Sequence, residues 1–203
     1  MYFWREMGMP QVVTLVPQSF GANTYYVTDG REAFLVDPSV SVEEAKQALF
    51  DAFIPPVAIL LTHGHFDHVQ TLPEWYAAFS PAVYIGTEDA PMLSDGHLNA
   101  HAIFFGEDKK YFVPHTKISN GSVLSLCGER IVAEAYPGHT QGSLVYRLSD
   151  IAFVGDLMFA GGGFGRYDLP SGNASAIFSS LRLARERLSS LLLYPGHGAS
   201  FRL

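Results

Sequence analysis

The chain has 203 residues, 48% hydrophobic and 16% charged, which is enough apolar material for one globular domain, residues 1–203, and too much for a disordered chain. Its formal net charge is −7 with no Lys/Arg run, which excludes the basic patch a nucleic-acid partner relies on. One cysteine excludes an internal disulfide, and no stretch approaches the ~20 apolar residues of a membrane span.

Three short β-rich runs come first, VVTLV (12–16), NTYYVT (23–28) and EAFLVDP (32–38), with the turn signal Asp29-Gly30 between the last two. Ser41 and Glu44 have capping-box spacing, so EEAKQALFDAF is predicted as a helix that ends at Pro55-Pro56. VAILLT (57–62) is continuous and apolar, as a strand covered on both faces would be. A helix is expected over 72–79 and a strand at AVYIG. Further strands are expected near 113–118, 122–127, 130–136, 143–148 and 151–159. Asn173 caps a long helix in which Ile177, Leu181, Ala184 and Leu188 form an apolar stripe and Arg182, Arg185 and Arg187 lie mostly off it. LLLYPGH is a last strand. Two sheet-rich halves, each with covering helices, predict a four-layer α/β arrangement of two stacked mixed sheets.

The stretch LLTHGHFDHVQ places three of the chain's 8 histidines and an aspartate within six residues of a buried-type strand. Packed imidazoles and carboxylates are costly unless something pairs them. His63 and His65 are two apart, so an extended segment points both the same way, while Asp67 and His68 follow one residue later and aim elsewhere. One period cannot gather all four on a single ion, but two adjacent ions can. His139, Asp156 and His197 each follow a glycine at the end of a hydrophobic run, where a rigid scaffold presents chemistry. Five His and two Asp suffice for two divalent ions with three terminal ligands each and one shared carboxylate. Imidazole and carboxylate without thiolate favour zinc, with Fe, Mn or Co as alternatives.

The pattern His63-x-His65-x-Asp67-His68, followed by His139, Asp156 and His197, resembles the metallo-β-lactamase superfamily over nearly the whole chain. The resemblance implies an αβ/βα sandwich. It implies that one metal takes His63, His65 and His139, the other takes Asp67, His68 and His197, and Asp156 bridges them with a water. Asp156 and the loop GGGFGRYDLPSGN are similar to glyoxalase II-like (hydroxyacylglutathione hydrolase-like) and persulfide dioxygenase-like proteins. Full-length glyoxalase II has a helical C-terminal domain, and with six residues after His197 (203 − 197 = 6) a member lacking it is expected.

The activity so implied is hydrolysis of a small thioester or ester, with Asp67 holding one ion and orienting the attacking hydroxide. The alternatives are a mononuclear iron oxygenase of the persulfide dioxygenase kind, using His63, His139 and Asp156, and a non-catalytic metal-binding scaffold. Asp37 and Thr140 are expected to partner ligating histidines. Arg166 and Asp168 are expected to pair and hold the loop after Asp156. Gly161–Gly163 reads as a flexible loop, because no Gly-Lys-Ser/Thr follows. Cys127 reads as a core residue, His97, His101 and His115 as outside the cluster, and Phe104 and Phe105 as loop aromatics at a substrate mouth. The N-terminus MYFWREMGMP lacks a signal-type apolar run, so a cytoplasmic chain with no membrane partner is expected.

Overall fold

The structure, a computed structural model, describes residues 10–203. The reading of the N-terminus as free of a signal-type run falls mainly on residues 1–9, which lie outside the described residues. Strands β1 (Gln11–Leu15), β2 (Thr24–Thr28), β3 (Ala33–Val36), β4 (Ala58–Leu60), β5 (Ala82–Gly86) and β6 (Thr116–Ile118) form one sheet in that order. The β1–β2 and β2–β3 pairs are antiparallel, and the pairs from β3 to β6 are parallel. Strands β7 (Val123–Leu126), β8 (Glu129–Ala135), β9 (Leu144–Leu148), β10 (Ile151–Gly155) and β11 (Leu192–Pro195) form the second sheet, ordered β11-β10-β9-β8-β7, in which only β10–β11 is parallel. Both sheets are mixed, as expected.

The period-two alternation of the strands builds the four layers. Tyr25, Val27, Phe34, Val36, Ala58 and Leu60 face the second sheet and pack on Ile131, Ala133, Tyr146, Leu148 and Phe153. Their neighbours Tyr26, Leu35, Ile59 and Leu61 face the other way, toward α1 (Val42–Leu49) and α3 (Leu72–Phe79). On the far side, Val145, Ala152, Val154 and Leu193 receive Ile177, Ala184 and Leu188 of α5 (Ala174–Arg187) and its C-cap. Each fully buried Val, Leu, Ile or Phe among them is worth about 1.5–3 kcal/mol. Cys127 sits in the middle layer as a core residue. Two shorter helices, α2 (Phe66–Val69) and α4 (His101–Phe105), lie at one end of the sandwich. Among the described residues no helix is long and apolar enough to cross a membrane.

Ser41 caps α1 through both hydrogen bonds of the capping box, and Asn173 caps α5 by accepting from the Ala176 amide at 2.9 Å. Elsewhere packing and backbone chemistry override the sequence pattern. The first helix stops at Leu49, not Phe53: Phe50 turns to φ 47°, which lets Phe53 reach Tyr26 and Trp75 at ring separations of 6.2 and 6.3 Å. The strand expected over 113–118 shrinks to Thr116–Ile118, since Pro114 has no N–H for the ladder. The strand expected over 151–159 ends at Gly155, whose φ of +50° turns the chain. Any side chain there would strike Thr62.

Candidate metal centre

Topology explains why distant residues meet. Strands β3, β4 and β5 run parallel, so their C-terminal ends lie together and deliver Asp37, the His63–His68 segment and Asp89. In the facing sheet β8, β10 and β11 share one direction, and their C-terminal ends lead to His139, Asp156 and His197. The sheets are tied at this end by the Leu144 amide donating to the Thr62 carbonyl at 2.8 Å and by the Tyr146 hydroxyl donating to Leu61 at 2.8 Å. Open α/β sheets place ligands beyond the carboxyl ends of their strands for the same reason.

The seven predicted donors converge. His139 Nε2 lies 2.9 Å from His65 Nδ1 and 3.1 Å from His63 Nε2. His68 Nε2 faces Asp156 Oδ1 at 3.2 Å, and His197 Nε2 faces Asp67 Oδ2 at 3.3 Å. Asp156 Oδ2 stands 3.6 Å from both His139 Nε2 and His197 Nε2. Within each of the sets His63/His65/His139, Asp67/His68/His197 and His63/His68/Asp156, one donor atom per residue lies within 4.8 Å of the others. Close approach has a sequence cause: a Cβ at Gly196 would overlap Asp156 Oδ1 and the His68 ring.

The hydrogen bonds around the cluster test whether cations fit it. His139 Nδ1 donates to the Arg166 carbonyl at 2.6 Å, leaving a lone pair on Nε2. Thr62 gives its hydroxyl proton to Asp37 Oδ2 at 2.6 Å and so accepts from His63 Nδ1 at 3.1 Å, which leaves His63 Nε2 a lone pair too. Two lone pairs then oppose each other at 3.1 Å, an arrangement that a cation between them relieves. His65 Nε2, His68 Nε2 and Asp156 Oδ1 are buried without a hydrogen-bond partner, at a cost of about 1–3 kcal/mol each for a bare protein. The donor set fits divalent metal.

Charge divides the cluster. Burial, then the neighbouring imidazoles of His68, His139 and His65, hold His63 well below its usual range. Burial, with His139 beside it, pushes His65 down to about 3, and burial also lowers His139. On the other side burial works against protonation, yet the carboxylates of Asp156, Asp37 and Asp67 raise His68 well above its usual range. Hydrogen bonds to Asp156 and Asp67 likewise overcome burial and raise His197 to about 9. Against their own burial, Asp67 is lowered chiefly by His68, and Asp156 is held well below the carboxylate range by His68 and His197.

A pH dependence follows for the metal-free protein. His63 and His65 have folded pKa values below the unfolded 6.5, so their contribution is complete above pH 6.5 and is lost as pH falls toward the folded values. Each costs about 1.4 kcal/mol per pH unit below that point. Denaturant midpoints of chelator-treated protein are expected to fall steeply from pH 6.5 to 5, and a flat profile contradicts the burial of neutral imidazoles.

The positions around the donors sort differently from the sequence reading. Asp37 meets the expectation of a histidine partner, accepting from His68 Nδ1 at 2.8 Å and from the Thr62 amide at 2.8 Å. Thr140 does not reach a ring nitrogen. Its hydroxyl donates to Asp89 Oδ2 at 2.6 Å instead, while the His139 ring faces the donor cluster. Arg166 and Asp168 form the expected pair, bidentate at 2.7 Å, but it is the Arg166 backbone carbonyl that touches His139. Phe104 and Phe105 lie on α4 and not in a loop, and Phe104 packs on Phe66 at 5.7 Å. His101 is buried against Phe66 and stands outside the donor cluster.

Two residues escaped the sequence reading. Thr62 relays Asp37 to His63, and Asp89 accepts from the amides of Gly64 (3.2 Å) and Gly142 (2.7 Å), tying the two ligand loops together. Burial raises Asp89 to about 6 against its hydrogen bonds to Thr140 and those two amides. The one available signal was position: GTEDAP follows a strand parallel to the one that carries His63.

The family model for the Metallo-beta-lactamase superfamily matches residues 18–197, which include every donor named above. The chain belongs to the metallo-β-lactamase superfamily. Among its superfamily relatives, "Probable metallo-hydrolase YqgX" of Bacillus subtilis (strain 168) is 30% identical over 183 residues, covering 87% of this chain and 85% of that protein. "Hydroxyacylglutathione hydrolase GloC" of Haemophilus influenzae is 30% identical over 176 residues, covering 84% and 82%. The crystal structure of TTHA1623 in a di-iron-bound form superposes with a TM-score of 0.79 at 31% identity, covering 95% of this chain and 94% of that one. That of BLEG-1 B3 metallo-beta-lactamase gives 0.85 at 27%, covering 94% and 93%.

Proposed function

We propose that this chain is a metal-dependent hydrolase of small thioesters that works with two divalent ions. The observation that carries the reading is Asp156, one carboxylate whose Oδ2 is equidistant, at 3.6 Å, from a histidine of each donor set. His63, His65 and His139 would hold one ion and Asp67, His68 and His197 the other, with Asp156 shared. GloC and the di-iron neighbour are consistent with this.

Bound divalent ions supply an ionised water, whose pKa falls from 15.7 to roughly 7 on zinc, and a Lewis acid for the substrate carbonyl. The Arg166 carbonyl and the Thr62–Asp37 relay keep the rings of His139 and His63 in the tautomer that faces inward. Asp67 Oδ2, at the open side of the cluster beside His197, accepts a hydrogen bond from the attacking water and orients it. Attack forms a carbon–oxygen bond and expulsion breaks the carbon–sulfur bond. The products are a carboxylate and a thiol, with one proton released to solvent.

The cleft over the donors is about 360 Å³, the size for a small acyl group, and Phe20, Phe66, Phe104 and Phe159 line it. Besides the donors its one titratable side chain is Arg166, whose pKa is raised by the Asp168 hydrogen bond. With the donors engaged by metal, the cleft keeps no side chain able to give a proton to a poor leaving group. A thiolate needs none, and this favours thioesters over amides.

The full chain, metal-loaded, is expected to turn over S-lactoylglutathione or simple acyl thioesters and to hold two metal ions. No turnover on any thioester rejects the reading. One iron per chain with the Asp67/His68/His197 set empty favours the mononuclear oxygenase instead.

A further inference from the structure

A second cavity, about 750 Å³, adjoins the metal cleft. Gly161–Gly163 are on its lining, with φ of 81° at Gly161 and 90° at Gly162, and Phe159 lines both spaces while lying 5.9 Å from the His197 ring. One wall is the exposed face of α5, where Arg182 and Arg185 stand three residues apart, and Arg202 completes the rim. Among the described residues the Lys/Arg ion pairs are Lys110–Asp108, Arg147–Glu134 and Arg166–Asp168. None of the three cavity arginines is in them, and Glu186 is the one acidic side chain on the lining. In a chain of net charge −7 this is a local excess of positive charge: Arg202 donates to the Ser190 carbonyl at 2.8 Å, while Arg182 and Arg185 have no acidic partner among the described residues.

The other lining groups are aromatic. Phe164 and Phe178 meet edge to face at 5.7 Å, and Phe178 is 54% exposed. Guanidinium forks bind phosphate oxygens two at a time, and phenyl faces stack on planar heterocycles. Together they describe a receptor for a planar ring that bears phosphates. The glycines add no side chain to the lining, and the phosphates would fall to the arginines.

We propose that this cavity holds the nucleotide end of the substrate's carrier, so that the enzyme acts on thioesters of coenzyme A type, the acyl end passing Phe159 into the metal cleft. This rests on the thioester reading above. A carrier without phosphates leaves Arg182 and Arg185 unpaired and gains nothing from them.

The test uses the full chain and two probes. Adenosine 3′,5′-bisphosphate is titrated calorimetrically into metal-loaded and metal-free protein, and acetyl-coenzyme A is assayed for turnover. The bisphosphate is expected to bind both forms, to compete with acetyl-coenzyme A, and to lose at least tenfold in affinity in the double variant R182E/R185E. The variant's KM for acetyl-coenzyme A is expected to rise at least tenfold with kcat within about twofold, its metal content and melting temperature serving as the check on folding. Equal binding by the variant, or no binding by the wild type, overturns the proposal. Bisphosphate binding without competition overturns the carrier assignment and points to a separate nucleotide site. If no thioester is turned over, the hydrolase reading falls and takes the carrier with it, whereas the calorimetry still decides the cavity. An Arg166 variant could not make this separation, since Arg166 borders the metal cleft itself.

Discussion

Asp156→Ala is expected to lose bound metal and at least about a thousandfold in kcat/KM, equivalent to about 4 kcal/mol of transition-state stabilisation. The reason lies in the geometry: Asp156 contacts His68 through Oδ1 and stands between His139 and His197 through Oδ2, so no other side chain can replace it. Its charge also sets the protonation of the second donor set. His197 is raised to about 9 by Asp156 and Asp67, against burial, so in metal-free Asp156→Ala that value drops, which imidazole NMR titration reads directly. His65→Ala is expected to lose metal and rate as well, but it removes a neutral ring held down to about 3 and leaves the carboxylates in place. His197 should then titrate nearly as before. The two variants thus share a loss of activity and differ in one spectroscopic signature. Full metal content and full rate in either would disprove the ligand assignment.

The parts of this centre that were legible in the sequence are those where chemistry and strand pattern coincide within a few residues. VAILLT reads as a buried strand, and four polar side chains directly after it have no apolar explanation. The same holds for Asp37 at the end of its own strand, which meets His68 because β3 and β4 are parallel neighbours. Where the deciding contact joins the two sheets, the sequence is silent. Asp89 reaches Gly142 across 53 residues and Gly64 across 25, and neither separation leaves a periodic trace. Thr140, expected to partner a ligating histidine, instead joins Asp89, a residue 51 positions away that no local pattern links to it. The layers themselves were legible because each strand carries its alternation locally, whereas Pro114 and the turn at Phe50 shorten elements that hydrophobic pattern alone would extend.

Asp89→Ala is expected to lower the stability of the protein by about 3 kcal/mol near neutral pH, because the buried amides of Gly64 and Gly142 lose their acceptor at about 1–3 kcal/mol each. For a chain of this length that corresponds to a melting temperature lower by roughly 6–12 °C. The penalty should itself depend on pH, and the sign is fixed. Burial raises Asp89 to about 6 from the usual 3.8, so the folded state holds this proton where the unfolded chain releases it. The contribution of that protonation is complete below 3.8 and is lost as pH rises through about 6. Asp89→Ala lacks it, so the gap between wild type and variant should be wider at pH 5 than at pH 7 by about 1.4 kcal/mol. Metal affinity should fall about 10–100-fold in the same variant, since the two loops that carry His63, His65 and His139 are no longer held in register. A gap that stays constant with pH would mean that burial does not hold a proton on Asp89, and a variant that keeps wild-type metal affinity would mean that the carboxylate has no part in holding the metal loops together.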